Sequence, residues 1–214
     1  MPVESSKSID SKIMQAIQSR GLGSVFVPAD FLEIGSRQAV DVTLHRLARK
    51  GTIRRLAWGL YDFPKDHPVL GRLSPSAQTV AEALAGRDRT RIQPAGAYAA
   101  NALGLSEQIP AKVVFLTDGP SRTVQVGTTT IQLRRTTARN MAAAGRLSGL
   151  LIEAFRELGE EQVTPARWEH LKRTIPLKER RELLKDLRLA PTWMHPIFRE
   201  LAQDAERGAT AFEA

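Results

Sequence analysis

The sequence contains no cysteine, and only four of its 214 residues are histidines. Without cysteine there is no disulfide and no thiolate metal ligand, and four scattered histidines argue against a zinc site. No apolar run approaches the roughly 18 residues that cross a membrane, and the opening Met1-Pro-Val-Glu-Ser-Ser lacks the basic start and apolar centre of a signal peptide. We therefore expect a cytoplasmic protein with no metal, no cofactor and no membrane partner.

Common catalytic motifs are also missing. Neither the phosphate-binding phrase Gly-x-x-x-x-Gly-Lys nor the nucleophile phrase Gly-x-Ser-x-Gly occurs. His170 and His195 lie in helical stretches away from any nucleophile partner. Asp118, followed by Gln132 and Arg134, resembles part of a nuclease metal site, but the second carboxylate that such a site needs is absent. We predict no catalytic residue and no enzymatic activity, with a metal-dependent nuclease as the enzyme alternative.

The charge of the chain is strongly positive. The formal net charge is +8 and the pI is about 10.3, which favours an anionic partner, nucleic acid first. Between Ser36 and Arg55 six arginines and lysines are opposed by one acidic residue, Asp41. A basic cluster of this kind is typical of a surface that contacts a phosphate backbone.

The segment from Ser36 to Gly51 has the period of an amphipathic helix. Val40, Leu44 and Leu47 fall within about 60° of one another on a helical projection and form one apolar stripe. The opposite side of the projection is polar and mostly cationic. Ser36 suits the N-cap position, and Gly51 suits the left-handed residue after a helix, so both ends are marked.

The elements around this helix follow the order of a winged helix-turn-helix. We predict a first helix at 8–20, a short strand at 24–27, a short helix at 28–33, and a two-stranded hairpin turning at 57–59 after the long helix. This motif most often reads DNA by placing its second long helix in the major groove. The predicted DNA-contacting residues are Ser36, Arg37, Gln38, Asp41, Val42, His45, Arg46, Arg49, Lys50, Arg54, Arg55 and Trp58.

Roles can be assigned within that set. Arg37 suits guanine and Gln38 suits adenine, while Arg46, Arg49, Lys50, Arg54 and Arg55 are expected at phosphates. Trp58 is expected either to contact the sugar–phosphate edge or to pack back on Leu60 and Phe63.

The proline, glycine and serine residues at 67–75 predict a linker between a DNA-binding domain at 1–66 and a second domain at 76–214. The second domain reads as α+β, so the whole chain is predicted to be α+β and mostly helical. Its predicted elements are helices at 77–85 and 94–105, a strand at 113–117, a hairpin at 122–134 turning near Gly127, and helices at 140–158, 164–174, 177–189 and 192–204, with three strands in its sheet.

A second basic region extends from Gly119 to Ile152 without an acidic residue. Its arginines are Arg122, Arg134, Arg135, Arg139 and Arg146. They are candidates for contacts with DNA, with a protein partner or with RNA, and they could equally form a solvated surface.

Two groups of motifs resemble the AbiEi-type antitoxins. In the N-terminal half they are Phe26-x-Pro-x-Asp-Phe31, Leu44-x-x-Leu47, Gly51-x-Ile-x-Arg55 and Gly59-Leu-Tyr61. In the C-terminal half they are Pro94-x-Gly-Ala-Tyr-x-x-Asn-x-Leu-Gly-Leu105 and Val113-Val-Phe-Leu-Thr-Asp-Gly119.

The resemblance implies an antitoxin of a type IV toxin–antitoxin system with a role in phage defence. Such a protein counteracts a nucleotidyltransferase-like toxin, directly or indirectly, and represses its own operon by binding double-stranded operator DNA. The five arginines of the second basic region then become candidates for the antitoxin surface. The alternative is a plain winged-helix regulator whose C-terminal domain dimerises or binds a ligand.

Overall fold

The computed structural model describes residues 8–210 and, within them, the side chains of residues 8–203. The chain is α+β and mostly helical, as predicted. Within the described residues it divides into two compact units, one made of residues 8–90 and 123–131, the other of residues 91–122 and 132–210.

The first unit begins with the predicted winged-helix elements. Its helices are α1 (Ile9–Arg20), α2 (Arg37–Arg49) and α3 (Ala77–Asp88), and its short strands are β1 (Val25–Phe26), β2 (Arg54–Ala57), β3 (Leu60–Asp62), β4 (Asp66–His67) and β5 (Gly71–Arg72). Strands β1, β3 and β2 form an antiparallel sheet in that order, so β1 pairs with the second strand of the wing. This is the topology of a winged helix-turn-helix.

The short helix predicted at 28–33 is a single 3₁₀ turn at Pro28–Phe31. Pro28 occupies its start, where no N–H is needed, and the carboxylate of Asp30 accepts the backbone N–H of Val27 at 3.1 Å. The same carboxylate is bound by the guanidinium of Arg20 at 2.8 Å, which fixes the turn to the end of α1.

The core of this unit lies between α1, α2 and the sheet. Ile13 and Ile17 of α1 meet Val40 and Leu44 of α2, and all four are fully buried. Phe26 packs edge-on against another buried ring, Phe31, with centroids 5.5 Å apart, and their burial ties strand β1 to the turn that follows it.

The predicted linker at 67–75 is not an irregular segment. Residues 66–72 form the small antiparallel hairpin β4–β5, and the helix that follows, α3, belongs to the first unit. The unit boundaries therefore differ from the domain boundaries predicted at 66 and 76.

After α3 the chain holds four strands and five α-helices within the described residues: β6 (Ile92–Ala95), α4 (Gly96–Ala102), β7 (Lys112–Thr117), β8 (Arg122–Val126), β9 (Thr129–Arg135), α5 (Leu147–Leu158), α6 (Pro165–Thr174), α7 (Leu177–Glu182) and α8 (His195–Thr210). The sheet order is β6-β7-β9-β8. The predicted hairpin at Gly127 is confirmed, but the sheet has four strands where three were predicted. Pro94 lies in β6 instead of opening a helix, and a proline is tolerated there because β6 is an edge strand.

The helix predicted at 140–158 begins only at Leu147, and residues 138–145 form successive turns. Gly145 has a left-handed φ of 77°, and its N–H is bound by the side-chain oxygen of Gln93 at 3.1 Å. A left-handed residue ends helical propagation, so the alanines before it do not join α5.

The later helices largely follow prediction. Helix α6 begins after Thr164, whose hydroxyl caps it, but the segments predicted at 177–189 and 192–204 each include a 3₁₀ turn, at Leu183–Leu189 and Thr192–Met194. The core of the second unit contains Leu151 and Phe155 of α5, which pack with residues of α4, α6 and α8. Within residues 8–210, no helix is both long and apolar enough to span a membrane.

Candidate nucleic-acid interface

Helix α2 is anchored at both ends by local hydrogen bonds. The hydroxyl of Ser36 accepts the N–H of Ala39 at 3.4 Å, which satisfies one free donor of the first turn. Gly51 has a φ of 74°, its N–H donates to Ala48, and the N–H of Thr52 donates to Leu47 at 3.1 Å. These two closing bonds are those of a Schellman motif, so the helix ends where its sequence predicted.

The two sides of α2 have opposite environments. Val40 and Leu44 are fully buried, and Leu47 is half-buried beside them. The opposite side is exposed, and it carries Gln38, Val42, His45 and Arg49. Val42 is 58% exposed although it is apolar, so its side chain is available to a partner.

The cations predicted on α2 are not equally available. Arg49 and Lys50 are exposed, and neither forms an ion pair with any described side chain. Arg46 is bound by the carboxylate of Asp10, whose other oxygen accepts the hydroxyl of Thr43 at 2.7 Å. Asp10 belongs to α1, so Arg46 has a role in joining the two helices.

Arg37 and Asp41 form a second ion pair, on the first turns of α2. The Nε of Arg37 donates to Oδ2 of Asp41 at 2.9 Å, and the two side chains are 57% and 48% exposed. Both residues therefore lie on the surface next to Gln38, as predicted, but they are bound to each other.

Arg54 is not placed to contact phosphate, contrary to prediction. Its guanidinium donates from Nε and Nη2 to the two carboxylate oxygens of Asp62, at 3.1 and 2.5 Å, and from Nη2 to the carbonyl of Leu73 at 2.8 Å. Asp62 is 1% exposed. The two residues lie opposite each other on β2 and β3, so the register of the hairpin places Arg54 where it pairs with the buried carboxylate of Asp62.

The wing tip carries an exposed aromatic residue. Trp58 is 87% exposed, and the guanidinium of Arg55 lies over its ring, 4.8 Å from the centroid. The alternative that Trp58 packs on Leu60 and Phe63 is therefore wrong. Gly59, with a φ of 66°, makes the tight turn that projects the tryptophan outward.

The five arginines of the second basic region differ in exposure and in pairing. Arg134, Arg135 and Arg139 are exposed, at the end of β9 and in the turns that follow it, whereas Arg122 is half-buried. Arg146 binds the carboxylate of Asp186 at 3.0 Å, so its charge is compensated.

Acidic residues from elsewhere in the chain lie close to this region. Arg134 lines a polar pocket of about 350 Å³ together with Glu153, Arg156 and Glu157. Glu153 is 8% exposed and is paired with Arg156 at 2.7 Å. Residues 119–152 contain no acidic residue, but the fold places Glu153 and Glu157 next to Arg134, so this region of the surface is not purely basic.

Asp118 is bound by one neighbour. It accepts the backbone N–H of Arg91 at 2.8 Å and the Nε of the same arginine at 2.9 Å. These bonds lower the pKa of Asp118 below its usual value, the backbone bond most strongly. Among the described residues, no group of three or more histidines and carboxylates is arranged to hold a metal ion.

A family profile matches residues 12–184 of the chain, and the family is described as one of unknown function, DUF6088. The chain belongs to this family. The crystal structure of the Rv2827c protein from Mycobacterium tuberculosis is similar to this chain. The sequence identity is 14% and the TM-score is 0.46, and the match covers 92% of this chain and 77% of the other. No match was found among curated proteins.

The sequence did not indicate that Asp10 and Asp62 bind two of the arginines predicted to contact DNA. Asp10 lies 36 positions before its partner Arg46, so no local spacing connects them. Asp62 lies eight positions after Arg54, a distance that depends on the exact turn of the hairpin. The Arg55–Trp58 contact could have been suspected, because Trp58 lies in the predicted tight turn and Arg55 lies just before it.

Proposed function

We propose that this protein binds double-stranded DNA through α2 and the wing, and that it is the autorepressor and antitoxin of a toxin–antitoxin pair. The observation that carries the DNA-binding proposal is the exposed side of α2. A helix whose other side is fixed in the core presents Gln38, Val42, His45 and Arg49 outward, on a topology whose second long helix commonly enters the major groove.

The residue types on this side suit base edges. A glutamine amide can donate to and accept from adenine, and an exposed apolar side chain such as Val42 can contact the methyl group of thymine. Arg49 and Lys50 at the end of α2, together with Arg55 on the wing, supply charge for the flanking phosphates. Trp58 lies at the wing tip, where it can reach the sugar–phosphate edge.

The salt dependence of binding tests this proposal. With Arg54 held by Asp62 and Arg46 bound by Asp10, we expect about three phosphate contacts, made by Arg49, Lys50 and Arg55. The logarithm of the association constant should then fall with the logarithm of salt at about −0.9 per contact, roughly −2.7 in all. Fluorescence anisotropy with a labelled duplex from upstream of the gene measures this slope.

The controls for that measurement are single substitutions. Arg49→Ala and Lys50→Ala should each flatten the slope by about one contact. Lys178→Ala, an exposed lysine on α7, should leave it unchanged. A wild-type protein with no salt-dependent binding to any duplex contradicts the proposal.

The antitoxin part of the proposal rests on the resemblance of the motifs at 94–105 and 113–119. These motifs lie on β6, α4 and β7, and of the exposed arginines Arg134 and Arg135 end the neighbouring strand β9, while Arg139 follows it. Exposed positive charge suits either acidic residues of a toxin or the nucleotide and RNA substrates of a nucleotidyltransferase.

Co-expression with the neighbouring gene product tests this part. We expect the intact chain to restore growth when the neighbour is a nucleotidyltransferase toxin, and to repress a reporter driven by its own upstream DNA. Arg134→Glu with Arg135→Glu should abolish rescue while repression persists, whereas Gln38→Ala with Arg49→Ala should do the reverse. Point variants are preferable to fragments, because residues 123–131 belong to the first unit and a cut near residue 75 would divide it.

If a folded variant of either kind lost both activities, separate surfaces for the two functions would be contradicted. Rescue without any effect of Arg134 and Arg135 would move the antitoxin surface elsewhere.

A second candidate function is a regulator whose C-terminal part binds a small ligand. It is favoured by the polar pocket of about 350 Å³ next to Arg134, a volume within the range of ligand sites. Repression that responds to a metabolite without any neighbouring toxin would support this alternative.

A further inference from the structure

The ion pair between Arg37 and Asp41 has no evident structural role. Both side chains are about half exposed, and an exposed pair one helical turn apart contributes little to stability. The pair lies on the first turns of α2, beside Gln38 on the exposed surface.

The atoms used in this pair leave the rest of the guanidinium available. Asp41 accepts only from Nε of Arg37, and neither Nη group has a hydrogen-bond partner among the described residues. Two Nη groups form the fork that donates to O6 and N7 of guanine, which is the commonest specific contact in the major groove.

We infer that Arg37 and Asp41 form one guanine-reading unit, in which Arg37 donates to the base and Asp41 is a positioning residue. The inference rests on the proposed DNA binding and extends it to a base class. Asp41 holds the guanidinium in one orientation before binding, so less side-chain freedom is lost on contact. Its negative charge also disfavours the use of Arg37 on a phosphate of arbitrary sequence.

Arg46 and Asp10 provide a matched comparison on the same helix. Arg46 is also bound by an aspartate, but that aspartate comes from α1 and is shared with Thr43. Arg46 therefore joins two helices, and we expect it to have no preference for a base.

The experiment uses the full-length protein and a pool of 20-base-pair duplexes with random sequence. The wild type selects its preferred duplex, and each base pair of that duplex is then substituted in turn. Dissociation constants are measured for the wild type and for Arg37→Ala, Asp41→Ala, Asp41→Asn, Asp10→Ala and Arg49→Ala. Binding to an alternating A·T duplex reports affinity without guanine.

We expect the wild type to prefer guanine at one position by roughly 5- to 150-fold, which corresponds to one good bidentate contact. Arg37→Ala should remove that preference. Asp41→Ala should remove most of it while binding to the A·T duplex stays equal or becomes tighter. Asp41→Asn should keep most of it, since an amide oxygen can accept the same Nε–H bond.

A further test combines the two changes. Asp41→Ala in the Arg37→Ala background should produce no additional loss of preference, because Asp41 acts only through the arginine. Asp10→Ala should leave every base preference unchanged, and Arg49→Ala should weaken all duplexes by a similar factor.

The outcomes distinguish a failure of the guanine-reading unit from a failure of the proposed DNA binding. If Arg49→Ala weakens all duplexes but neither Arg37→Ala nor Asp41→Ala changes any preference, DNA binding stands and the guanine-reading unit is wrong. If only Arg37→Ala changes the preference, the positioning role of Asp41 is wrong. If the wild type binds no duplex, the proposed function itself fails.

Discussion

Arg54→Ala is expected to destabilise the first unit by about 3–5 kcal/mol, because it leaves the carboxylate of Asp62 buried without its partner. Asp62 is 1% exposed, and both of its oxygens are bound by Arg54. The carbonyl of Leu73 loses a donor in the same change. A loss of this size is a large part of the roughly 5–15 kcal/mol that stabilises a typical domain.

Amide hydrogen exchange measures this effect within the unit concerned. The N–H of Phe63 donates to the carbonyl of Ser24 at 2.9 Å, next to the paired strands β1 and β3. If this amide exchanges by global opening, Arg54→Ala should make its exchange faster by a factor of roughly 10²–10⁴.

Two variants serve as controls. Arg55→Ala removes the neighbouring arginine, whose guanidinium lies over the exposed ring of Trp58 and donates to the carbonyl of Ala57, so we expect a loss of about 1 kcal/mol or less. Arg54→Met combined with Asp62→Leu removes both charges and should recover most of the stability. An Arg54→Ala protein as stable as Arg55→Ala would contradict the structural role of the pair.

Gly149→Ala should destabilise the second unit by about 3 kcal/mol or more, at the upper end of the effect of overpacking. A Cβ at this position would lie 2.3 Å from the backbone oxygen of Ala143 and 2.9 Å from Oε1 of Gln93. A backbone carbonyl cannot rotate away as the end of a side chain can, so the turn before α5 would have to move. Thermal or urea unfolding, with hydrogen exchange of α5 amides, measures the loss.

The matched control is Gly86→Ala. Gly86 lies in the helix α3, and a Cβ there would meet nothing within 4 Å. Alanine is the better helix former by about 1 kcal/mol, so this variant should be slightly more stable than the wild type. If both glycine variants behaved alike, the close approach of Ala143 to Gly149 would be wrong.

Local signals in the sequence were sufficient for the elements of the winged helix. Ser36, the apolar stripe of α2 and Gly51 predict one helix with two marked ends, and each of these features depends on residues within a few positions of one another. The same holds for the wing, where Gly59 makes the turn between two short alternating strands. The DNA contacts and the antitoxin role remain predictions.

Contacts between residues distant in sequence determined the start of α5 and the structure of residues 67–75, which the local pattern did not predict. The alanines at 142–144 favour a helix by themselves, but Gln93 binds Gly145 in a left-handed conformation and α5 begins after it. The proline, glycine and serine residues at 67–75 favour an irregular linker, yet they include a hairpin whose base is bound by Arg54 from the wing.

The sequence by itself determined the order of the N-terminal elements, the buried and exposed sides of α2, and the position of the wing. Only the tertiary structure decided which cations are available, since Arg46, Arg54 and Arg146 are each bound by a carboxylate from another element of the fold. The physical reason is that helix period and turn chemistry act over a few residues, whereas an ion pair requires two elements to be packed in register. The charges counted along the chain therefore predicted a positively charged surface, whereas the fold determined which arginines and lysines are available on it.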